Sequence, residues 1–283
     1  MSESRSNSQL YAVMGHPVRH SKSPAIHTEF ARQCGIALEY RAIEVEPGSF
    51  ARAVEEFRVA GGQGLNITVP FKIEAYQLAD ECSARAELAG AVNTLKFESS
   101  SAVYGDNTDG VGLVRDLAIN HGIALMGKRV LILGAGGAVR GILGPLLQQG
   151  MGSVVIANRT VSKAIELAQA FAAYGDVSGC GFDDLHGQRF DIVINGTAAS
   201  RRADVPPLPE ELFAGQAVAY DLMYGDQPMP FMIWAREHGA AGVIDGLGML
   251  VEQAAESFLL WHGLWPHTGP VIERLRQGSS SGQ

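Results

Sequence analysis

The sequence predicts an α/β fold in two domains. Three observations carry that expectation. Short apolar, β-branched runs alternate with helix-spaced segments along almost the whole chain, the pattern of parallel strands covered by helices. The alternation restarts near residue 110, where the helical stretch "VGLVRDLAINHG" leads into a fresh βαβ series. That series opens on "VLILGAGGAV", a strand, a glycine turn and a helix start in one. The expected layout is an N-terminal α/β domain over residues 9–110 and a Rossmann-type, doubly wound dinucleotide-binding domain over 111–248. Helices over 249–275 are expected to pack back on the first domain, with flexible termini at 1–8 and 276–283.

In chain order, "LYAVMG" is a short strand ending at Gly15. "SPAIHTEFARQCG" is a helix with Pro24 near its start and Gly35 as its stop. "EYRAIEV" alternates as a strand does. "SFARAVEEFRVAGG" places Phe50, Val54 and Phe57 on one helical side. "GLNITV" is a strand and "PFKIEAYQLAD" a helix. "AVNTLKF" and "SAVYGDN" read as a strand pair, and "DGVGLVRDLAINHG" as a long helix. After the glycine turn comes a helix interrupted by Pro145. "SVVIANRT", "FDIVINGT", "AVAYDLMY" and "AGVIDG" are strands; "SKAIELAQAF", "PMPFMIWAREHG" and "GMLVEQAAESFLLWHG" are helices.

Composition excludes several classes of function. The 283 residues are 46% hydrophobic and 18% charged, a globular balance far from disorder. The net charge is −8 with no long basic run, which argues against nucleic acid. The three cysteines, Cys34, Cys82 and Cys180, form no CxxC pair or zinc-spaced cluster, and the eight histidines no ligand cluster. No metal is expected. "MSESRSNSQ" is not a secretory signal, and no apolar run approaches the ~18 residues of a membrane span. The expectation is a cytoplasmic protein with free thiols and no membrane partner.

The glycine turn has its ligand in the chemistry of helix starts. Gly134, Gly136 and Gly137 let the backbone turn tightly and approach a pyrophosphate, whose charge the helix N-terminus stabilises. The pattern is GxGGA, with Val139 where GxGxxG has its third glycine. NAD-binding folds usually carry Asp or Glu at the end of the second strand, to accept from the ribose hydroxyl. This chain has Asn158 and Arg159, followed by Thr160, Ser162 and Lys163. A carboxylate would repel a 2′-phosphate, whereas Arg159 can fork onto one and Lys163 adds a point charge. Cations at a helix start are otherwise mildly unfavourable, by ~0.3–1 kcal/mol. NADP is therefore favoured over NAD.

Three polar clusters mark the first domain. In "HSKSP", Ser21 and Ser23 flank a lysine before a helix; one serine would suffice as a cap, and two make a carboxylate site equally well. In "LNITVPFK", Thr68 can cap and Pro70 suits the first helical turn, which puts Lys72 in that turn. A cation there sits at the unfavourable end of the helix dipole. A solvated lysine tolerates this; a catalytic one gains from it, because its pKa moves toward the working range. "AVNT" and "GDNTDG" then supply Asn93, Asp106 and Asp109, the last also able to cap a helix. "GDNTDG" fails as an EF-hand loop because Thr108 stands where Asp or Asn is needed.

The motifs "GHPVRHSKSP", "LNITVPFK", "AGAVNTL", "GDNTDG", "LGAGGA", "NRT" and "DGLGMLVEQAA" occur in this order from about Tyr11 to Leu275. Together they resemble the shikimate dehydrogenase family. The resemblance implies NADP-linked, reversible reduction of 3-dehydroshikimate to shikimate, in aromatic amino-acid biosynthesis. It implies Lys72 and Asp109 as the catalytic pair, Ser21 and Ser23 on the substrate carboxylate, and Thr68, Asn93 and Asp109 on ring hydroxyls. Tyr224 and Gln253 match further substrate contacts. The turn Gly134, Ala135, Gly136, Gly137 and Ala138 matches the cofactor loop, and Leu222 and Gly246 match positions near the nicotinamide. One position departs: Ala84 stands where similar enzymes often carry an acidic residue.

The chemistry agrees. A rigid ring with one carboxylate and three hydroxyls needs several short polar side chains. Hydride transfer to a ketone develops alkoxide charge, so a proton donor must sit at that oxygen. The rival readings are a quinate or quinate/shikimate dehydrogenase and a non-catalytic dinucleotide-binding regulator. Ser21 and Ser23 favour shikimate by resemblance, and a regulator would have lost Lys72 or Asp109. The oligomer is expected to be a monomer or homodimer.

Overall fold

The computed structural model describes residues 8–98, 102–197 and 204–280. They form two compact units. One comprises the chain up to Gly112 together with Val251–Glu273; the other comprises Leu113–Leu250 and the chain from Arg274.

The first unit holds strands β1 (Gln9–Gly15), β2 (Leu38–Glu44), β3 (Gly62–Ile67), β4 (Glu81–Cys82), β5 (Thr94–Phe97) and β6 (Val103–Asp106). Helices α1 (Ser23–Cys34), α2 (Phe50–Val59), α3 (Lys72–Leu78) and α4 (Ala84–Ala89) connect them. The strand order is β2-β1-β3-β5-β6-β4. The sheet is mixed rather than parallel: β5 runs antiparallel to both β3 and β6. Residues 98–102 join β5 to β6, too short a link for a parallel crossover. Met14, Phe50, Phe57, Leu65, Ile67 and Phe71 fill one core with Leu95 and Val103.

Helix α5 (Asp109–Arg115) leads on, but the long α-helix expected here widens into a π turn over Asp116–Asn120. Asp116 is 1% exposed. Its carboxylate accepts from the Tyr220 hydroxyl at 2.6 Å and from Asn120 at 2.8 Å. A buried acid bonded to a tyrosine 104 residues away leaves no periodic trace in the sequence.

The second unit holds β7 (Arg129–Leu133), β8 (Ser153–Ala157), β9 (Val177–Cys180), β10 (Phe190–Asn195), β11 (Phe213–Asp221) and β12 (Gly242–Asp245). Helices α6 (Gly137–Leu147), α7 (Val161–Phe171) and α8 (Pro230–Glu237) lie between them. The order β12-β11-β10-β7-β8-β9, with every pair parallel, is the doubly wound arrangement. Its order reverses between β7 and β10, the crevice where such sheets bind ligands. Pro145 does not interrupt α6; it sits in the last turn, one turn after Gly141. Strand β9 escaped the sequence because "VSGC" carries little apolar signal. Gly179 is there for contact: a Cβ would lie 2.4 Å from the Ala164 carbonyl carbon of α7.

Helix α9 (Leu247–His262) and helix α10 (Gly269–Ser280) end the chain. Residues 276–280 are thus helical rather than a flexible tail, and Arg276 pairs with Asp245 at 2.9 Å. The rest of the expected termini, 1–7 and 281–283, lies outside the described residues.

One core side chain couples folding to pH. His27 of α1 is fully buried and stacks on Tyr40 with ring centroids 4.4 Å apart. Burial, then the charge of His262, lower its pKa to about 3; contact with Asn66 opposes them. The unfolded chain protonates this imidazole near the ordinary histidine value and the folded chain does not. Stability is therefore full above about pH 6.5 and falls as pH drops toward 3. The His27 share of the loss is about 2 kcal/mol at pH 5. Urea titrations at pH 7.5 and 5 should show His27→Phe losing about that much less than wild type; equal losses would clear His27.

Candidate active site

The polar residues singled out in the first domain gather at one end of its interior strands. The loops leaving β1 and β3 run side by side: His16 N–H donates to the Val69 carbonyl at 3.0 Å, and Thr68 N–H to Met14 at 2.9 Å. Ile67 N–H donates to Asn93 at 2.7 Å and Asn93 N–H to Asp106 at 3.0 Å. Thr68, Asn93 and the turn 106–109 thus share that end of the sheet.

Lys72 is the first residue of α3. Phe71 is the N-cap, without a side-chain cap, and its N–H donates to the Thr68 carbonyl at 3.1 Å. Pro70 therefore precedes the helix instead of filling its first turn, and the Thr68 hydroxyl makes no cap. The Thr68–Phe71 turn leaves the first-turn placement of Lys72 intact. The Lys72 ammonium donates to Asp109 Oδ2, as an ion pair whose side chains are 18% and 8% exposed.

Asp109 is held from its other side as well. Asn93 Nδ2 donates to Asp109 Oδ1 at 2.8 Å, and the Asp109 N–H donates to Asn107 Oδ1 at 3.2 Å. The Asn93 amide cannot turn over, because its Oδ1 accepts the Thr108 N–H at 2.9 Å. Asn93 Nδ2 also meets Thr108 Oγ1 at 2.9 Å and Gln253 Oε1 at 3.2 Å. Donors thus engage both Asp109 oxygens and fix how its carboxylate faces Lys72. Ser23, 6% exposed, opens α1 and donates its N–H to Ser21 Oγ at 3.2 Å.

Sequence reasoning missed the layer beneath. Asn66 accepts from the Tyr40 hydroxyl at 2.7 Å and donates to Ser257 Oγ at 3.0 Å. Thr94 Oγ1 lies 2.7 Å from Ser257 Oγ, and Ser257 donates to the Gln253 carbonyl at 3.0 Å. Along α9, Gln253, Ser257 and Trp261 recur every four residues and meet Asn93, Thr94 and the Leu95 carbonyl in turn. The usable signal was Asn66, a polar residue inside an apolar strand.

In the second unit the glycine turn sits at the sheet's order reversal. Gly134 has φ +104°, and a Cβ there would lie 3.1 Å from the Gly196 carbonyl oxygen. No atom lies within 4 Å of a Cβ built on Gly136 or Gly137, so the backbone faces open space. A cavity of ≈ 400 Å³ is lined by Gly134, Ala135, Gly136, Asn158 and Arg159, with Phe182, Thr197, Pro206 and Pro207 among the residues not anticipated. Asn158 donates to the Thr160 carbonyl at 2.9 Å, which orders the turn into α7. Arg159, Thr160, Ser162 and Lys163 are exposed there. Gly137, Ala138, Thr160, Ser162 and Lys163 lie outside that cavity's lining. So do Leu222, Gly246 and half-buried Tyr224, at the ends of β11 and β12. Burial pushes the Tyr224 phenol pKa up. Among the described residues no cluster of three or more His, Cys, Asp or Glu could hold a metal ion, and no helix is long and apolar enough to cross a membrane.

Comparison with known proteins finds relatives over nearly the whole chain. Family profiles described as the shikimate dehydrogenase substrate binding domain, shikimate / quinate 5-dehydrogenase and the shikimate 5'-dehydrogenase C-terminal domain match residues 13–95, 116–203 and 246–276. The shikimate dehydrogenase (NADP(+)) of Alkalilimnicola ehrlichii is 59% identical, over 94% of this chain and 98% of that protein. An Ael1 enzyme from Pseudomonas putida is 49% identical with TM-score 0.88, covering 95% of this chain and 98% of that one. Shikimate 5-dehydrogenase of Thermus thermophilus, solved with NADP(H) and shikimate, is 32% identical with TM-score 0.84, covering 96% and 99%. On relatives this similar over nearly its full length, the chain belongs to the shikimate dehydrogenase family.

Proposed function

We propose that this protein is an NADP-dependent shikimate dehydrogenase that interconverts 3-dehydroshikimate and shikimate. The carrying observation is the Lys72–Asp109 ion pair, fixed by Asn93 at the end of the sheet where Thr68 also lies. The name of the Alkalilimnicola ehrlichii relative and the ligands of the Thermus thermophilus enzyme support the same reading.

The first unit is the substrate domain and the second the NADP domain. The cavity at Gly134 fits a dinucleotide: open space over Gly136 and Gly137, a helix N-terminus at α6, and Arg159 on its wall. Gly134, Ala135, Gly136, Gly137 and Ala138 would hold the pyrophosphate. Asn158, Arg159, Thr160, Ser162 and Lys163 would hold the adenosine 2′-phosphate, and Leu222 and Gly246 would flank the nicotinamide. Bound NADP(H) supplies or accepts the hydride.

The chain's own side chains handle the proton and the ring. Lys72, as ammonium, gives a proton to the ketone oxygen during reduction; as amine it takes the proton back during oxidation. Asp109 holds the lysine in place for both directions. Ser21 and Ser23 bind the carboxylate; Thr68, Asn93 and Asp109 bind the ring hydroxyls, with Tyr224 and Gln253 as further substrate contacts. The protein works in the cytoplasm as a monomer or homodimer.

An absorbance assay of NADP reduction tests the reading. Shikimate should give turnover, quinate far less, and no substrate none. Turnover with quinate alone would move the protein to the quinate branch of the superfamily, and none with either would leave a binding protein.

A further inference from the structure

An ion cluster beside the Lys72–Asp109 site touches two of the elements that build it. Arg85, on α4, is 23% exposed, and its guanidinium forks onto Asp106 through Nε at 2.7 Å and through Nη2. Its third nitrogen, Nη1, donates to Glu256 on α9 at 2.9 Å. Asp106 is 3% exposed and opens the turn that carries Thr108 and Asp109; it also accepts the Asn107 N–H at 2.7 Å. Asn107 in turn donates to the Ala91 carbonyl at 2.9 Å and accepts from Asp109 N–H at 3.2 Å. Glu256 stands three residues after Gln253 on the same helix and one before Ser257. Desolvation works against charge on Arg85, but the hydrogen bonds and charges of Asp106 and Glu256 outweigh it and raise its pKa. One planar, permanently charged fork therefore ties the Asp109 turn to the Gln253 helix.

We infer that Arg85 and Glu256 are positioning residues: the Asp106–Arg85–Glu256 bridge sets α9 so that Gln253 meets Asn93 at the distance the substrate requires. The inference rests on the proposed function. Gln253 Oε1 lies 3.2 Å from Asn93 and 3.3 Å from Thr108, near the outer limit of hydrogen bonding. A small slide of α9 breaks both contacts, and misplacement of about 1 Å at a binding constellation costs up to 10²-fold.

Glu256 is the residue to change. Arg85→Met would strip Asp106 of its main partner and risk the fold, whereas Glu256→Leu leaves Arg85 paired with Asp106. Glu256→Leu should raise KM for shikimate about tenfold, with kcat and KM for NADP little changed and the thermal midpoint close to wild type. Glu256→Gln, which keeps an acceptor for Nη1, should restore KM. In a Gln253→Ala background, Glu256→Leu should add nothing further. An unchanged KM in Glu256→Leu, no rescue by Gln, or the same increment in both backgrounds each overturns the inference. Wild-type enzyme inert toward shikimate would overturn the function itself; active wild type with a silent Glu256→Leu overturns the bridge alone.

Discussion

Lys72→Ala should lower kcat by about 10²–10⁴-fold while KM for shikimate changes by only a few-fold. That corresponds to about 3–5 kcal/mol of transition-state stabilisation. Of the proposed substrate contacts, the serines, Thr68, Asn93 and Gln253 make no hydrogen bond to the lysine; Asp109 alone does. In the fold the Lys72 side chain pairs with Asp109. Removing it leaves the buried Asp109 carboxylate held by Asn93. Lys72→Arg should not restore turnover, because a guanidinium stays charged and cannot take the proton back during oxidation. Shikimate oxidation rates at saturating substrate, with KM measured alongside, decide the matter. A variant with near-normal kcat would remove Lys72 from the chemistry, and a collapse of KM alone would make it a binding residue.

The residues of this site were legible in the sequence to different degrees, for physical reasons. Lys72 and Asp109 each open a helix soon after a strand, and Asn93 immediately precedes β5, so local pattern placed them at element ends. Gly134 was legible for the same cause: a strand, a turn and a helix in one contiguous stretch. Gln253 came from the family resemblance alone. Its hydrogen bond to Asn93 spans 160 residues, and the Ser257 contacts with Thr94 and Asn66 span more. No periodicity encodes such pairs. The short link to β6 made that pairing legible as antiparallel, but the antiparallel pairing of β5 with β3 was hidden because strand period says nothing of direction. The Pro70 expectation failed because a turn closed by Thr68 and Phe71 delays the helix by two residues. Arg85 hides beside the conspicuous Ala84, since a charged residue at a helix start usually reads as solvated surface.

Arg159 should make the enzyme strongly selective for NADP, and Arg159→Ala should cut kcat/KM for NADP by about 10- to 10²-fold while leaving NAD almost unchanged. The magnitude is that of a charge-assisted hydrogen bond, about 1.5–3 kcal/mol. The selectivity has two sources. One is attraction: Arg159 stands exposed on the wall of the Gly134 cavity, and its planar fork matches a phosphate. The other is the missing repulsion: β8 ends at Ala157, and Asn158 follows it where a carboxylate would exclude the 2′-phosphate. Asn158 donates to the Thr160 carbonyl, so it orders the turn that presents Arg159. Because Arg159 is exposed, the preference should weaken as salt rises, with screening over about 8–10 Å at ordinary ionic strength. Steady-state kcat/KM for both cofactors, at low and high salt, measures each part. Equal values for NADP and NAD in the wild type would sink the assignment. A preference that survives Arg159→Ala would shift it to Lys163 and Ser162 at the start of α7.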